Sequence, residues 1–343
     1  MIDMKKRSID IIRLIATYLV VAIHISPFEK INPSFDLFFT RILGRLAVPL
    51  FFMITGYYIL SKSLKDIEVL KEYTKKLLFI YLICILIYLP INLYTGSWQS
   101  MSIIDFLKEI VIDGTFYHLW YFLALIFALW LVYFLVKKLG NKKTMIVVII
   151  LYLIGLFGDS YYGFLSSSPL LTKIYDILFL ISTYTRNGLF YAPIFLYLGY
   201  EIKQKSKESS NHDLIISLCL FLGMTLEGFL LHFEDMPRHD SMYLLLVPLM
   251  YFLFRYLITH NNASYKGIRK IATIIYILHP LIIIVIRFIA KILNVKTILI
   301  DNNLILYLVV CLTTTILAII IEKSMNLMKK KIKINASTPK QIE

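Results

Sequence analysis

The chain has 343 residues, of which 59% are hydrophobic and 17% are charged, and its mean hydropathy is +0.74. Soluble domains are about 45–50% apolar and about 25% charged, so this composition excludes a soluble fold and indicates an integral membrane protein. The formal net charge of +14 does not indicate nucleic-acid binding, because the cationic residues lie in short clusters between apolar runs. The three cysteines lie inside apolar runs without metal-binding spacing, so neither a disulfide nor a zinc site is expected.

Apolar segments long enough to cross a bilayer follow one another along the whole chain. They are residues 9–28, 37–61, 77–95, 117–137, 143–158, 187–202, 213–232, 241–258, 271–292 and 303–322. The predicted fold class is therefore all-α, a polytopic membrane protein with about ten transmembrane helices. Residues 100–113 and 170–184 are predicted to form helices that lie in the membrane interface.

The positively charged residues between these segments predict the orientation of the chain. If the amino terminus is cytoplasmic, 24 Lys and Arg residues fall in segments expected inside and seven in segments expected outside. Cytoplasmic loops carry such an excess, so both termini are predicted to be cytoplasmic, in a multi-pass protein of the cell membrane. We expect one transmembrane domain over residues 1–328 and a basic, disordered cytoplasmic tail over 329–343.

The first apolar segment contains three ionisable residues, Asp10, Arg13 and His24. Such groups cost about 2.5–3.5 kcal/mol each at mid-membrane and therefore indicate function. Eleven residues separate Arg13 from His24, which places both on one helix face, about 16 Å apart along the axis. Asp10 lies one turn before Arg13, where an ion pair is expected. In the alternative interpretation Arg13 reaches the headgroups and His24 hydrogen-bonds a neighbouring helix.

The second apolar segment contains Arg45, with Arg41 one turn before it. No acidic residue is beside them in the sequence, so these arginines indicate either an anionic ligand or a carboxylate from another helix. A purely structural ion pair for Arg45 is the alternative.

Four further candidates lie in later segments: His118, Glu227, Tyr276 and His279. His118 is also typical of an interfacial aromatic belt. Tyr276 and His279 lie one turn apart, immediately before a proline. Residues 232–240 contain histidines and acids in a metal-like pattern, but the breakers among them predict a solvated outer loop.

Two of these motifs together resemble the acyltransferase-3 family. Asp10-Ile-Ile-Arg13 followed by His24 is similar to the arginine-to-histidine motif of that family, and residues 44–58 (GRLAVPLFFMITGYY) resemble its second-span signature. The resemblance covers residues from about 8 to 325, and the sequences around His118 and His279 correspond to weaker family patterns.

Within that family the two motifs look most like the membrane domain of vancomycin-resistance serine racemases. This chain ends shortly after the tenth apolar segment, so we expect no racemase domain and no pyridoxal-phosphate chemistry. Lys75 and Lys76 stand where many relatives have paired arginines, so donor contacts are not carried over from that stretch.

The resemblance implies transfer of an acyl group, often acetyl from acetyl-CoA, to a hydroxyl or amine of an envelope or small-molecule acceptor. A histidine titrates near working pH, so His24 is the expected general base, with Arg13 orienting the donor or the base. The resemblance implies acyl-CoA as the donor substrate, and no permanently bound cofactor and no metal are expected. The expected partners are the donor, the acceptor and membrane lipids. The predicted substrate-binding residues are Asp10, Arg45, His118, Glu227, Tyr276 and His279.

Two other functions fit the same residues. The stronger competitor is a transporter of serine or another small polar solute, with His24, Arg45 and Glu227 forming the binding site. The third hypothesis is a membrane subunit without catalytic activity.

Overall fold

A computed structural model describes residues 9–96, 98, 101–205, 211–260 and 267–337 of the chain. The side chains of Ser166, His260 and residues 329–337 are not described. Lys5, Lys6 and Arg7 of the predicted cytoplasmic amino terminus lie outside the described residues.

The described residues form helices and contain no strand. In chain order the α-helices are α1 (Asp10–Ile25), α2 (Pro33–Asp36), α3 (Ala47–Thr55), α4 (Ser61–Ser63), α5 (Ile67–Thr95), α6 (Ile103–Lys108), α7 (Trp120–Phe157), α8 (Gly163–Ser166), α9 (Pro169–Ile181), α10 (Ala192–Lys205), α11 (Asn211–Phe233), α12 (Leu246–His260), α13 (Ile268–Ile292), α14 (Lys296–Leu299) and α15 (Asn303–Ser337). A π-helical turn, Leu37–Ile42, a 3₁₀ turn, Leu43–Leu46, and a second π-helical turn, Gly56–Leu60, join α2, α3 and α4 into one helical run. A third π-helical turn, Glu109–Asp113, follows α6.

Every predicted apolar segment overlaps one of these helices, and α7 covers most of two of the segments. Gly140 breaks α7 in its middle, where its φ is 73° and its ψ is 174°. A positive φ of this kind favours glycine. Of the described helical runs, six are long and apolar enough to cross a membrane: Pro33–Ser63, Ile67–Thr95, Trp120–Phe157, Asn211–Phe233, Ile268–Ile292 and Asn303–Met328. The all-α class is confirmed. The count of ten spans, the orientation, and the interfacial position of α6 and α9 stay predictions.

The chain divides into two compact units. The first contains α1, α2 and α13 to α15, and the second runs from Leu37 to the end of α12. The backbone of residues 329–337 continues α15 as a helix. The domain limits predicted from the sequence, 1–328 and 329–343, stay predictions.

In the first unit, α1, α13 and α15 pack against one another. Their shared core is aliphatic and consists of Val21, Ile25, Ile275, Ile282, Ile283, Ile286, Leu306, Val310 and Ala318. The Tyr18 hydroxyl lies 2.7 Å from the Thr315 hydroxyl, so a hydrogen bond ties α1 to α15. Such interhelical hydrogen bonds add to close packing as the forces that join helices in a membrane.

In the second unit, α10 is the central helix and packs against α3, α7 and α12. Two glycines allow its backbone to approach the α3 run closely. A Cβ added at Gly56 would lie 2.0 Å from the Leu196 carbonyl oxygen, and one at Gly199 would lie 2.1 Å from that of Met53. Small residues at such crossings are typical of membrane helices.

Candidate functional site

The predicted base, His24, lies against a second histidine in the first unit. Its ring is stacked on that of His279 of α13, with centroids 5.3 Å apart and an interplanar angle of 24°. His279 is fully buried, and the Tyr276 ring lies 6.0 Å from it. His24 and the pair Tyr276 and His279, which the sequence places on two different helices, therefore lie together.

Pro280 explains how the His279 ring is held. Proline has no backbone N–H, so the Tyr276 carbonyl four residues earlier loses its helical hydrogen bond. The Nδ1 atom of His279 lies 2.8 Å from that carbonyl oxygen and 3.3 Å from the oxygen of Ile275. Because carbonyl oxygens only accept, we assign the imidazole hydrogen to Nδ1, which leaves the lone pair of the neutral ring on Nε2.

The cationic end of α1 has the expected ion pair. The Arg13 Nη1 atom lies 3.8 Å from Asp10 Oδ1, and both side chains are largely buried. Since α1 is continuous from Asp10 to Ile25, Arg13 and His24 keep the spacing of one helix face. Their roles in binding and catalysis stay predictions.

Arg45 lies in the second unit, in the 3₁₀ turn before α3, and its side chain is buried. Its Nη2 atom donates to Asp240 Oδ1 at 2.8 Å, and Arg41 Nη1 donates to the same oxygen at 3.3 Å. Burial alone raises the pKa of Asp240, but Arg45 and Arg41 outweigh burial, and the pKa is lowered. The carboxylate partner therefore comes from the loop before α12, and not from another helix.

The expectation of a solvated loop at residues 232–240 is wrong for its second half. Residues 232–235 are exposed, whereas residues 236–240 are half-buried. Arg238 packs on the Phe179 ring, with its Cζ atom 3.4 Å from the ring centroid, and His239 packs on Tyr184. Burial, together with Arg186 and Arg238, lowers the pKa of His239 to about 4. The chain turns inward here because Asp240 pairs with Arg45.

Asp159, directly after α7, is a buried acid that the sequence analysis missed. Its Oδ1 atom accepts backbone N–H groups from Ser241 at 2.6 Å and from Met242 at 2.9 Å. Burial raises the pKa of Asp159 to about 7, although the two N–H groups and the nearby Arg45 lower it. Asp159 thus fixes the same loop that provides Asp240.

Arg186, in the segment before α10, is the second residue missed. Its guanidinium Cζ atom lies 4.3 Å from the centroid of the Tyr184 ring and 5.3 Å from that of Trp120. Burial and the positive charge of Arg45 lower the pKa of Arg186. The sequence gives a signal for Asp159, because Arg45 needs a counter-charge, but it gives none for Arg186.

His118 and Glu227 occupy two other places in the second unit. His118 is buried in an aromatic cluster, with the Tyr88 ring at 5.1 Å. Glu227 accepts hydrogen bonds from the Tyr161 hydroxyl at 2.8 Å and from the backbone N–H groups of Leu244 and Leu245. The contacts of Glu227 hold the segment that leads into α12. The substrate-binding roles of His118 and Glu227 stay predictions.

Comparison with known proteins identifies the family. The acyltransferase-3 family, described as an acyltransferase domain, matches residues 6–323. The chain belongs to this family. Membership supports a membrane-bound transferase, in agreement with the long apolar helices.

Curated relatives of this family member are named as racemases. Two proteins of Enterococcus faecalis, each named amino-acid racemase, are 39% identical to it over 96% and 97% of this chain. A serine/alanine racemase of Enterococcus gallinarum is 35% identical over 91% of it. The matches cover 45–48% of the relatives, so the chain spans about half their length. No solved structure matches.

Proposed function

We propose that this chain moves an acyl group, expected to be acetyl, from a CoA-type donor to a hydroxyl or amine. The acceptor is a cell-envelope component or a small molecule, and the site of action is the cell membrane. Family membership supports acyl transfer in general. The assignment of His24 as the general base is supported by the stacking of its ring on that of His279.

The reaction assigned to His24 is general-base catalysis. The imidazole of His24 takes the proton of the acceptor hydroxyl as the oxygen attacks the thioester carbonyl. The carbon–sulfur bond then breaks, and the departing thiolate receives the proton from His24. Two backbone carbonyls hold the Nδ1 atom of His279, which fixes the orientation of the ring stacked on His24.

Arg13 and Asp10 form the donor end of the same helix face in this proposal. A guanidinium suits the phosphates of coenzyme A, and the acyl arm extends from Arg13 over about 16 Å toward His24. Tyr276 and His279 line the acceptor end.

The test is thiol release from acetyl-CoA by the purified full chain in lipid nanodiscs, with and without candidate acceptors. We expect His24→Gln to lose about 10²–10⁴-fold in rate, because glutamine keeps size and hydrogen bonding but cannot take the proton. His232→Gln is the matched control, since His232 is an exposed histidine at the end of α11. Full activity in folded His24→Gln protein would remove the general-base assignment.

A carrier of serine or a similar solute is the second candidate. It is favoured by the name of the serine/alanine racemase, whose sequence matches nearly all of this chain. Counterflow of labelled serine in proteoliposomes tests it directly. A carrier gives counterflow without any acetyl-CoA cleavage, whereas the proposed enzyme gives cleavage without counterflow.

A further inference from the structure

A group of charged residues in the second unit, two of them buried and two half-buried, has no role in the reaction proposed for His24. We name the group formed by Arg45, Arg186, Asp159 and Asp240 the arginine cluster. Its members come from chain segments that are far apart in sequence: the turn before α3, the end of α7, and the segments before α10 and α12. The loop that contains Asp240 ties them together, because it pairs with Arg45 and donates two backbone hydrogen bonds to Asp159.

The ion pairs of the arginine cluster are distributed unevenly. One carboxylate oxygen, Asp240 Oδ1, is shared by Arg45 and the more exposed Arg41. Arg186 makes no ion pair with any carboxylate in the described part of the chain. A largely desolvated cation without a directly paired carboxylate is costly. Arg186 therefore lacks the carboxylate partner that Arg45 has, and a bound carboxylate would supply it.

Three buried atoms of the cluster also lack hydrogen-bond partners among the described residues. They are the Nε atoms of Arg45 and Arg186 and the Oδ2 atom of Asp159. Buried polar atoms are nearly always paired in folded proteins, so orphan atoms require an explanation. Two are cationic donors and one is an acceptor, which is the complement of a molecule that has both an anionic group and a hydrogen-bond donor.

Aromatic rings determine what Arg186 can bind. The Tyr184 and Trp120 rings lie 4.3 and 5.3 Å from its Cζ atom and occupy the space beside the guanidinium. The Nε atom at the edge of the guanidinium has no hydrogen-bond partner among the described residues, so it can donate to a carboxylate oxygen. Arg45, Asp159 and Arg186 are near enough to one another to interact electrostatically.

We propose that the arginine cluster binds a small carboxylate that also bears a hydroxyl or an ammonium group. The carboxylate lies on Arg45 and Arg186, and the hydroxyl or ammonium donates to Asp159. A phosphate dianion is a poorer ligand, because it would stand beside two aspartates. The site is one of binding, and it holds whether or not the chain transfers acyl groups.

The experiment uses a matched series of three-carbon acids and the purified full chain in detergent. Propionate, lactate and alanine differ only in the group at Cα, and methyl lactate lacks the negative charge. Binding is measured by calorimetry and by the shift in melting temperature, with inorganic phosphate as a further arm. We expect lactate or alanine to bind more tightly than propionate, and methyl lactate and phosphate to bind weakly.

Two variants assign the contacts. Loss of a hydrogen bond to a charged group predicts that Arg186→Gln weakens carboxylate binding about tenfold or more. Asp159→Asn should abolish the preference for alanine over propionate while retaining propionate binding. Arg41→Gln is the matched control, because Arg41 is 40% exposed and Asp240 keeps Arg45 as its partner.

Several outcomes overturn the proposal. Absence of binding by all three acids to the wild-type chain does so, as does phosphate binding in preference to them. Equal affinity of lactate and methyl lactate removes the carboxylate contact. If Arg186→Gln does not fold, Arg186→Lys replaces it, and unchanged affinity in that folded variant contradicts the role of the planar guanidinium.

Discussion

Replacing Glu227 separates its two possible roles most directly. The sequence predicts that Glu227 binds substrate, whereas its hydrogen bonds hold the segment before α12. The Oε1 atom accepts from the Tyr161 hydroxyl at 2.8 Å and from Leu244 N–H, and the Oε2 atom accepts from Leu245 N–H at 3.0 Å. We expect the structural role to dominate, so that substitution lowers stability first.

The number of hydrogen bonds gives the size of the effect. A hydrogen bond to a charged group contributes about 1.5–3 kcal/mol, and values for bonds in one network are not additive. Glu227→Ala removes all three and should lower the free energy of unfolding by about 3–5 kcal/mol. Glu227→Gln keeps an acceptor for two of them but turns an amide group toward Leu245 N–H, so it should cost about 1.5–3 kcal/mol.

The assay is thermal unfolding in detergent together with acetyl-CoA cleavage. Glu234→Gln is the matched control, because Glu234 is exposed immediately after α11 and its replacement should change neither quantity. A Glu227→Ala protein as stable as the wild type but without activity would refute the reasoning. Such a result would return Glu227 to the substrate site that the sequence predicts.

Three further perturbations test other features. Gly56→Ala places a Cβ 2.0 Å from a backbone carbonyl oxygen of α10 and should lower the free energy of unfolding by at least about 1–3 kcal/mol. The control is Gly223→Ala, whose Cβ would lie 2.8 Å from a flexible leucine side chain and should be tolerated. Lys205→Cys should label only after the membrane is permeabilised and Ser34→Cys in intact cells; reversed labelling contradicts the predicted orientation. The pKa of Asp159 is raised from 3.8 to about 7, so the native state binds its proton more tightly and stability should fall as pH rises from about 4 to 7. In melting experiments at a series of pH values, Asp159→Asn should remove the loss of stability that Asp159 causes between about pH 4 and about pH 7.

The sequence predicts the helices well because membrane helices are specified by local composition. Apolar length alone locates the segments, and even the weakest, 143–158, is the second half of α7 beyond Gly140. The selection of His24 and His279 also follows from local signals, since histidines within apolar helices are rare and each of these lies on one.

The arginine cluster could not be predicted in the same way. Arg45 indicates that a counter-charge exists, but nothing near it in the sequence identifies Asp240, which is 195 positions away. Residues 232–240 have the composition of a solvated loop, and only the fold shows that Asp159 and Arg45 draw their second half inward. Partners set by tertiary contacts have no periodicity to detect.

The hydrogen bond that orients His279 has an acceptor in the main chain, and this makes the ring robust to side-chain replacement around it. The Tyr276 carbonyl is present whatever residue occupies position 276, so Tyr276→Phe leaves the acceptor in place. The carbonyl is available only because position 280 cannot donate to it. Replacement of Tyr276 can therefore change the surroundings of the histidine pair while the tautomer of His279 stays fixed. Pro280→Ala would instead supply a backbone N–H that donates to the Tyr276 carbonyl, and the imidazole would have to compete with it.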